Sequence, residues 1–239
     1  MIQWAAFSDC TSLASITIPN SVNVIEVAAF ISCPSLTNIS VGVGNSIYSS
    51  LDGVLLNKTQ TSLITFPAGR VGSYTIPDGV LTIADLAFYS CPSLSSVTFP
   101  ASLTDIGDGF HFCTGLTNLT FLGNAPSYWS IAEGVGAGAA VYYYYGTVGW
   151  GELGIFGGLP AVMLGAPAPQ VGTGSAGVKP GGYGFSLTGV VNQTIVVEAS
   201  TNLAYWQPLW TNTLSAVSTN FVDPEWLNFP HRYYRARSN

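Results

Sequence analysis

Apolar positions in the first half of the chain recur in blocks with one internal spacing. Phe7, Cys10, Leu13, Ile16 and Ile18 set the frame, which returns at Phe30, Cys33, Leu36, Ile39 and Val41. It returns again at Phe88, Cys91, Leu94, Val97 and Phe99, and at Phe110, Cys113, Leu116, Leu119 and Phe121. A frame repeating about every 23 residues predicts a stack of coils, each burying its apolar side only against its neighbours. Within a coil, the last two frame positions are two apart and predict a short strand, with Val22 and Ile25 on the return side. Frequent Ser, Pro and Gly between the anchors argue against long helices. The four Phe residues that open the frame are expected to stack as one internal aromatic column.

Strand ends align at Ile18, Val41, Phe66, Ile76, Phe99 and Phe121, with offsets of 23, 25, 10, 23 and 22. The offset of ten, preceded by the Asp52-Gly53 turn, marks a shortened or hairpin-like coil. Periodicity fades after residue 124. Residues 125–169 read as degenerate terminal coils that cap the stack, and residues 170–182 have the Gly/Pro composition of a linker. Residues 183–239 alternate in five short runs, Tyr183–Leu187, Thr194–Ala199, Trp206–Trp210, Thr219–Val222 and Tyr233–Arg235. They predict a small antiparallel, sandwich-like β-domain packed around Trp206, Trp210, Trp226 and Phe229. The fold class expected is mainly β: a leucine-rich solenoid over 1–124, the cap, the linker, and the C-terminal domain.

Composition narrows the partners. Charged residues make up 8% of the 239, and the net charge is −6. No Lys or Arg occurs between Arg70 and Lys179, so there is no cationic footprint for nucleic acid. Arg232, Arg235 and Arg237 cluster at the C-terminus, where they either touch an anionic surface or are salt-bridged or solvated, the second being the expectation. The uncharged stretch Leu153–Pro169 holds Gly157, Gly158, Pro160, Gly165 and Pro167, too many breakers for a membrane helix.

The first 124 residues resemble the BspA-like leucine-rich repeats of bacterial surface proteins. The resemblance rests on the A-F-x-x-C-x-S-L-x-x-I-x-(I/F)-P frame, and on Leu51 to Lys58 with Phe66 to Gly69 and Tyr74 to Val80. The tail, through Ile195, Trp206, Asp223-Pro224, Trp226 and Arg232 to Arg235, is similar to C-terminal modules that follow such repeats in secreted bacterial proteins. The resemblance implies export, display, and adhesion or protein contact, with no catalytic motif and no cofactor. Met1 leads at once into a repeat, so an export signal and earlier coils are expected upstream, an unexported chain being the alternative.

Candidate chemistry is sparse. Between the two inward positions of each predicted strand sits a hydroxyl: Thr17, Ser40, Thr65, Thr75, Thr98 and Thr120. Two residues earlier stand Ser15, Asn38, Ser73, Ser96 and Asn118, with Leu63 the exception. Side chains alternate across a strand, so these face outward together and stack into ladders. The plain reading is that Thr suits exposed strands; the functional one is a neutral face for a protein partner or a glycan. A second candidate is the aromatic run Tyr142, Tyr143, Tyr144, Tyr145 with Trp150, which either caps the solenoid or stacks on a sugar. Asp105 and Asp108 read as solvated turn carboxylates rather than an acid–base or calcium pair. Cys10, Cys33, Cys91 and Cys113 share one repeat position and lack zinc spacing. Parallel side chains on one row favour free thiols over disulfides. The G-x-G-x-x-G letters at Gly172, Gly174 and Gly177 have neither the strand nor the helix of a nucleotide loop.

Overall fold

The computed structural model describes residues 1–129, 134–150, 155–166, 168–172 and 175–239. The chain divides into two compact units, one running to Trp150 and including Ile155–Val162, the other Met163–Asn239. In the first, the strands are β1 (Ser15–Ile18), β2 (Asn38–Val41), β3 (Tyr48–Leu51), β4 (Val54–Asn57), β5 (Ser62–Thr65), β6 (Gly72–Thr75) and β7 (Thr82–Ile83). They continue as β8 (Leu94–Phe99), β9 (Asp105–Ile106), β10 (Asn118–Phe121), β11 (Tyr128–Trp129), β12 (Ala140–Tyr144), β13 (Ile155–Phe156) and β14 (Leu159–Leu164).

Each regular coil contributes one strand to a front row and a shorter one to a back row. At the front, β1 pairs with β2, and β6, β8, β10 and β12 pair in sequence, all in parallel. At the back, β5, β7, β9 and β11 run in parallel. The frame residues fill the space between the rows: Leu36, Ile39, Phe88, Phe110, Leu116 and Leu119 are fully buried. After the front row's last coil strand, the antiparallel pair β13–β14 closes the edge of β12.

The coil between β2 and β6 departs from the others. It adds the antiparallel strands β3 and β4 to the back sheet, beside β5. The turn of that hairpin reaches β2, where the Gly53 carbonyl accepts a hydrogen bond from Ile39 N at 2.8 Å. The hairpin lies where β2 and β6 would pair, so the front row is split into β1–β2 and β6–β12.

This coil corrects the sequence alignment. Phe66 is not a front strand end. It follows the back strand β5, its N–H bonds to the Ala87 carbonyl at 2.8 Å as Phe88 bonds to Gly109, and its ring stacks on Phe88 at 4.9 Å. The aromatic column is therefore two stacks. One is Phe7 on Phe30 at 5.5 Å; the other runs through Phe66, Phe88 and Phe110, with Phe88–Phe110 at 4.6 Å.

Tyr74 occupies an inward position that Val97 and Leu119 fill in the next two coils. Its hydroxyl is enclosed without a hydrogen-bond partner among the described residues, and burial pushes its pKa up from 10.0 to about 12. The folded chain thus keeps this proton to higher pH than the unfolded chain does. Stability is full below pH 10 and falls as pH rises from 10 to about 12. Tyr74→Phe should remove that alkaline decline and raise stability by about 1 kcal/mol, as urea melts at pH 8 and pH 11 would reveal.

In the second unit the strands are β15 (Gln170–Val171), β16 (Gly177–Lys179), β17 (Gly182–Thr188), β18 (Thr194–Ser200), β19 (Gln207–Thr213), β20 (Ser218–Asp223) and β21 (Tyr233–Ser238). A 3-10 turn covers Trp226–Asn228. One sheet sets β17 between β20 on one side and β15 with β16 on the other; the second is β19-β18-β21. The five runs read from the sequence are strands here, but two expectations change. The stretch 170–182, read as a linker, supplies β15 and β16 and pairs with β17; residues 173 and 174 lie outside the described residues. The core is Phe185, Leu187, Ile195, Val197, Leu214 and Phe221, with Trp210 at its margin. Trp206 and Trp226 are only half-buried and Phe229 is exposed, because they sit at strand ends and turns rather than on the inward faces.

Candidate functional site

The front face is built by strand alternation. On β8, Val97 and Phe99 point in and are buried while Ser96 and Thr98 point out. Register carries this from coil to coil. Ser73, Ser96 and Asn118 form one row, and Thr75, Thr98 and Thr120 form the next. On the other side of the hairpin, Ser15 faces Asn38 and Thr17 faces Ser40. The rows run on into Ala140 and Tyr142 of β12.

Ten of the eleven polar residues singled out in the sequence fall on this face. Thr65 does not: it ends β5, in the back sheet, since the Thr65-Phe66-Pro67 string belongs to the return side of the irregular coil. Asn38 donates to Ser40 Oγ at 2.9 Å. Among the described residues the Thr75, Thr98 and Thr120 hydroxyls bond to no other protein group, so they are open to a ligand.

The aromatic run separates into two sets. Tyr143 and Trp150 are buried and stack at 5.0 Å, with Trp150 also 4.8 Å from Phe121 and donating to Thr147 Oγ1 at 2.8 Å. Those two rings cap the apolar interior and offer no platform to a sugar. Tyr144 and Tyr145 are exposed and Tyr142 is half-exposed.

The thiols form a hydrogen-bonded row. Cys33 donates to the Phe7 carbonyl at 3.0 Å and Cys113 to the Phe88 carbonyl at 2.8 Å. All four cysteines are free. Burial raises the pKa of Cys33, and a hydrogen bond with Cys113 together with burial raises that of Cys91. Cys10 alone is half-buried. A thiol-reactive dye should therefore label Cys10 first in the native chain and the other three only on unfolding. Rapid reaction of Cys91 before unfolding would contradict this packing.

The two carboxylates singled out in the sequence, Asp105 and Asp108, are occupied. Asp105 accepts from Thr104 and Ser127, and Asp108 pairs with His111 at 2.8 Å. No group of three or more His, Cys, Asp or Glu converges among the described residues. The C-terminal arginines are paired: Arg232 with Asp223 at 3.2 Å, and Arg235 and Arg237 with Glu198 at 2.7 and 2.9 Å. The hydrogen bonds from Arg237 and Arg235 hold the Glu198 carboxyl below its usual pKa. A cleft of about 310 Å³ opens beside them, walled by Tyr183, Trp226, Phe229, Tyr233 and Tyr234.

A family match gives this architecture its context. Residues 1–70 and 70–130 match the BspA type leucine rich repeat region, in six copies. The chain belongs to the BspA-type leucine-rich-repeat family. Three solved structures are similar to it. The pneumococcal vaccine antigen PcpA shares 21% identity at a TM-score of 0.45, over 62% of this chain and 42% of that one. A leucine-rich repeat protein from Eubacterium ventriosum shares 24% at 0.43, over 63% and 48%. A leucine rich cell surface protein from Faecalibacterium prausnitzii shares 24% at 0.44, over 67% and 50%. The chain thus spans half or less of the length of these proteins. No curated protein matches it significantly. Among the described residues of this BspA-type chain, no helix is long and apolar enough to cross a membrane.

Proposed function

We propose that the chain is a non-catalytic recognition module of a secreted or cell-surface protein, binding a protein partner through the front face of its solenoid. The observation that carries this reading is the Thr75–Thr98–Thr120 row, with the Ser73–Ser96–Asn118 row beside it. These rows put unpaired hydroxyls and an amide at strand spacing on a rigid surface without charge. Membership of a repeat family supports a binding role, since solenoids present extended surfaces, and the titratable groups lie apart or are already paired. Affinity at such a face comes from shape and many weak polar contacts, so salt should change it little.

The test is a protein array probed with the purified chain and with the triple variant Thr75→Arg, Thr98→Arg, Thr120→Arg. Arginines at outward positions leave the interior intact, so the melting curve should be unchanged while bound signal drops about tenfold or more, the equivalent of roughly 1.4 kcal/mol. Signal indifferent to the three arginines would overturn the reading, as would a steep loss of binding between low and moderate salt.

A second reading, carbohydrate binding, is favoured by one observation only, the aromatic cleft of Tyr183, Trp226 and Phe229. A glycan array signal abolished by Trp226→Ala would favour it; a blank array with a positive protein array favours the first.

A further inference from the structure

On β21 the ion pairs of the arginines leave most of their hydrogen-bonding capacity unused. Burial alternates along this strand. Tyr234 and Ala236 pack against the core of the second unit, so Tyr233, Arg235 and Arg237 face the opposite way. In register across from them on β18 stand Ser200, Glu198 and Val196. The Glu198 side chain is only 7% exposed, and its two oxygens are divided between two arginines. Oε2 accepts from Arg235 Nε at 2.7 Å, and Oε1 accepts from Arg237 Nε at 2.9 Å. The Arg235 guanidinium also lies over the Trp206 ring, 4.4 Å from its centre.

A guanidinium carries five N–H donors in a planar fork. Arg235 gives one of them to Glu198; Arg237 gives one to Glu198 and one, from Nη1, to the Ser238 carbonyl at 3.1 Å. No other acceptor meets either group among the described residues, and both side chains are nearly half exposed, at 49% and 46%. One enclosed carboxylate offsets only one of two cations. The pair therefore keeps a positive charge at the surface, in a chain whose net charge is −6. Because each Nε is already held, the guanidinium planes are ordered before any ligand arrives, which lowers the cost of binding. A planar carboxylate is the group that such a fork matches. Two residues along the same row, Tyr233 is 42% exposed and also walls the aromatic cleft of Tyr183, Trp226 and Phe229. From Tyr233 to Arg237 the row spans about 13 Å, with aromatic surface at one end and cations at the other.

We propose that the Tyr233–Arg235–Arg237 row binds acidic glycans, oligosaccharides that carry uronic-acid carboxylates. One sugar ring rests on Tyr233 at the mouth of the aromatic cleft, and the carboxylate of a neighbouring uronate accepts from the free N–H groups of Arg235 and Arg237. A phosphate-dense polymer or an anionic lipid surface fits less well, since six basic residues against twelve acidic ones cannot neutralise closely spaced charges. The inference rests on the carbohydrate reading of the aromatic cleft, and adds the charge of the ligand and the residues that read it. A protein partner on the front face of the solenoid is compatible with it.

The experiment is calorimetric titration of the full chain with oligogalacturonate, oligoglucuronate and oligomannuronate. Each is paired with its carboxyl-reduced form, and a polyglutamate peptide is the control. At least one acidic form should bind about tenfold or more tighter than its reduced counterpart, a margin that should shrink as salt is added. Arg237→Gln leaves Arg235 on Glu198, so it should erase most of that margin without moving the melting curve. Arg235→Lys, which keeps the charge but not the fork, should weaken the acidic form alone, and is the deciding variant if Arg237→Gln fails to fold. Trp226→Ala should weaken both forms alike. The proposal is overturned if the variants leave the margin intact, or if polyglutamate binds as tightly as the oligouronates. Acidic and reduced forms that bind equally, and are both lost in Trp226→Ala, would refute the anionic ligand while the carbohydrate reading stands; no binding of either form would sink both.

Discussion

Phe88→Ala should lower the stability of the solenoid by about 3–5 kcal/mol, enough to bring the repeat region close to unfolding. The ring is fully buried and stacked on both faces, by Phe66 at 4.9 Å and Phe110 at 4.6 Å. Truncation removes its own transfer free energy and also leaves both neighbours facing a void. The coils hold each other only through adjacent interfaces, so a weakened rung uncouples the β6–β12 block on either side of it. Phe7→Ala is the comparison: that ring is half-buried, is stacked on Phe30, and should cost less than half as much. Urea titrations of the two variants, followed by tryptophan fluorescence, measure the difference. Equal losses, or a loss below about 1 kcal/mol for Phe88→Ala, would show that the column is not what holds the coils in register.

The second large effect is at Asn45, 1% exposed in the turn that follows β2. Its side chain closes four hydrogen bonds. Nδ2 donates to the carbonyls of Pro19 and Val22 at 3.0 and 2.8 Å, and Oδ1 accepts from the N–H groups of Ile47 and Tyr48 at 2.9 and 2.8 Å. The amide thereby fastens the first coil to the start of the irregular one. Asn45→Ala leaves these backbone groups enclosed without partners, at about 1–3 kcal/mol for each that water cannot reach; a total of about 3–4 kcal/mol is expected. Asn45→Asp keeps the two acceptor contacts and loses both donations, so it should also destabilise, and more at pH 7 than at pH 3, where a protonated carboxyl can still donate once. Equilibrium unfolding at the two pH values checks the order. An Asn45→Ala variant as stable as the parent would mean water replaces the amide.

Much of the solenoid was legible because its information is periodic. Leu36, Ile39, Leu94, Val97, Leu116 and Leu119 are buried as the frame predicts, since a coil whose apolar face turned outward would lose its only partners. Where reading failed, identical local strings had different non-local partners. Thr65-Phe66-Pro67 repeats Thr98-Phe99-Pro100 letter for letter, yet the first leaves a back strand and the second a front strand. Only pairing to Thr82-Ile83 separates them, and Thr65 left the proposed face with that correction. Residues 170–182 looked like a linker because Gly and Pro dominate; their strands exist through pairing with β17, which composition does not encode. In the C-terminal unit, ring size suggested a core around Trp206, whose face is instead covered by Arg235 at 4.4 Å. Asn45 gave no signal beyond a polar residue in a Gly-rich turn.

The antiparallel pair β13–β14 also bears on how the molecule behaves at high concentration. A stack of parallel rungs ending on bare β12 would present a five-residue row of unmet amides and carbonyls, inviting the next molecule to add end to end. Instead β14 continues the row, and the two-residue strand β13, antiparallel to it, covers its Leu159–Pro160 end, which shortens the edge left for an incoming chain. Filament growth from that edge is opposed by geometry rather than by charge, which a protein with so few charged groups has little of.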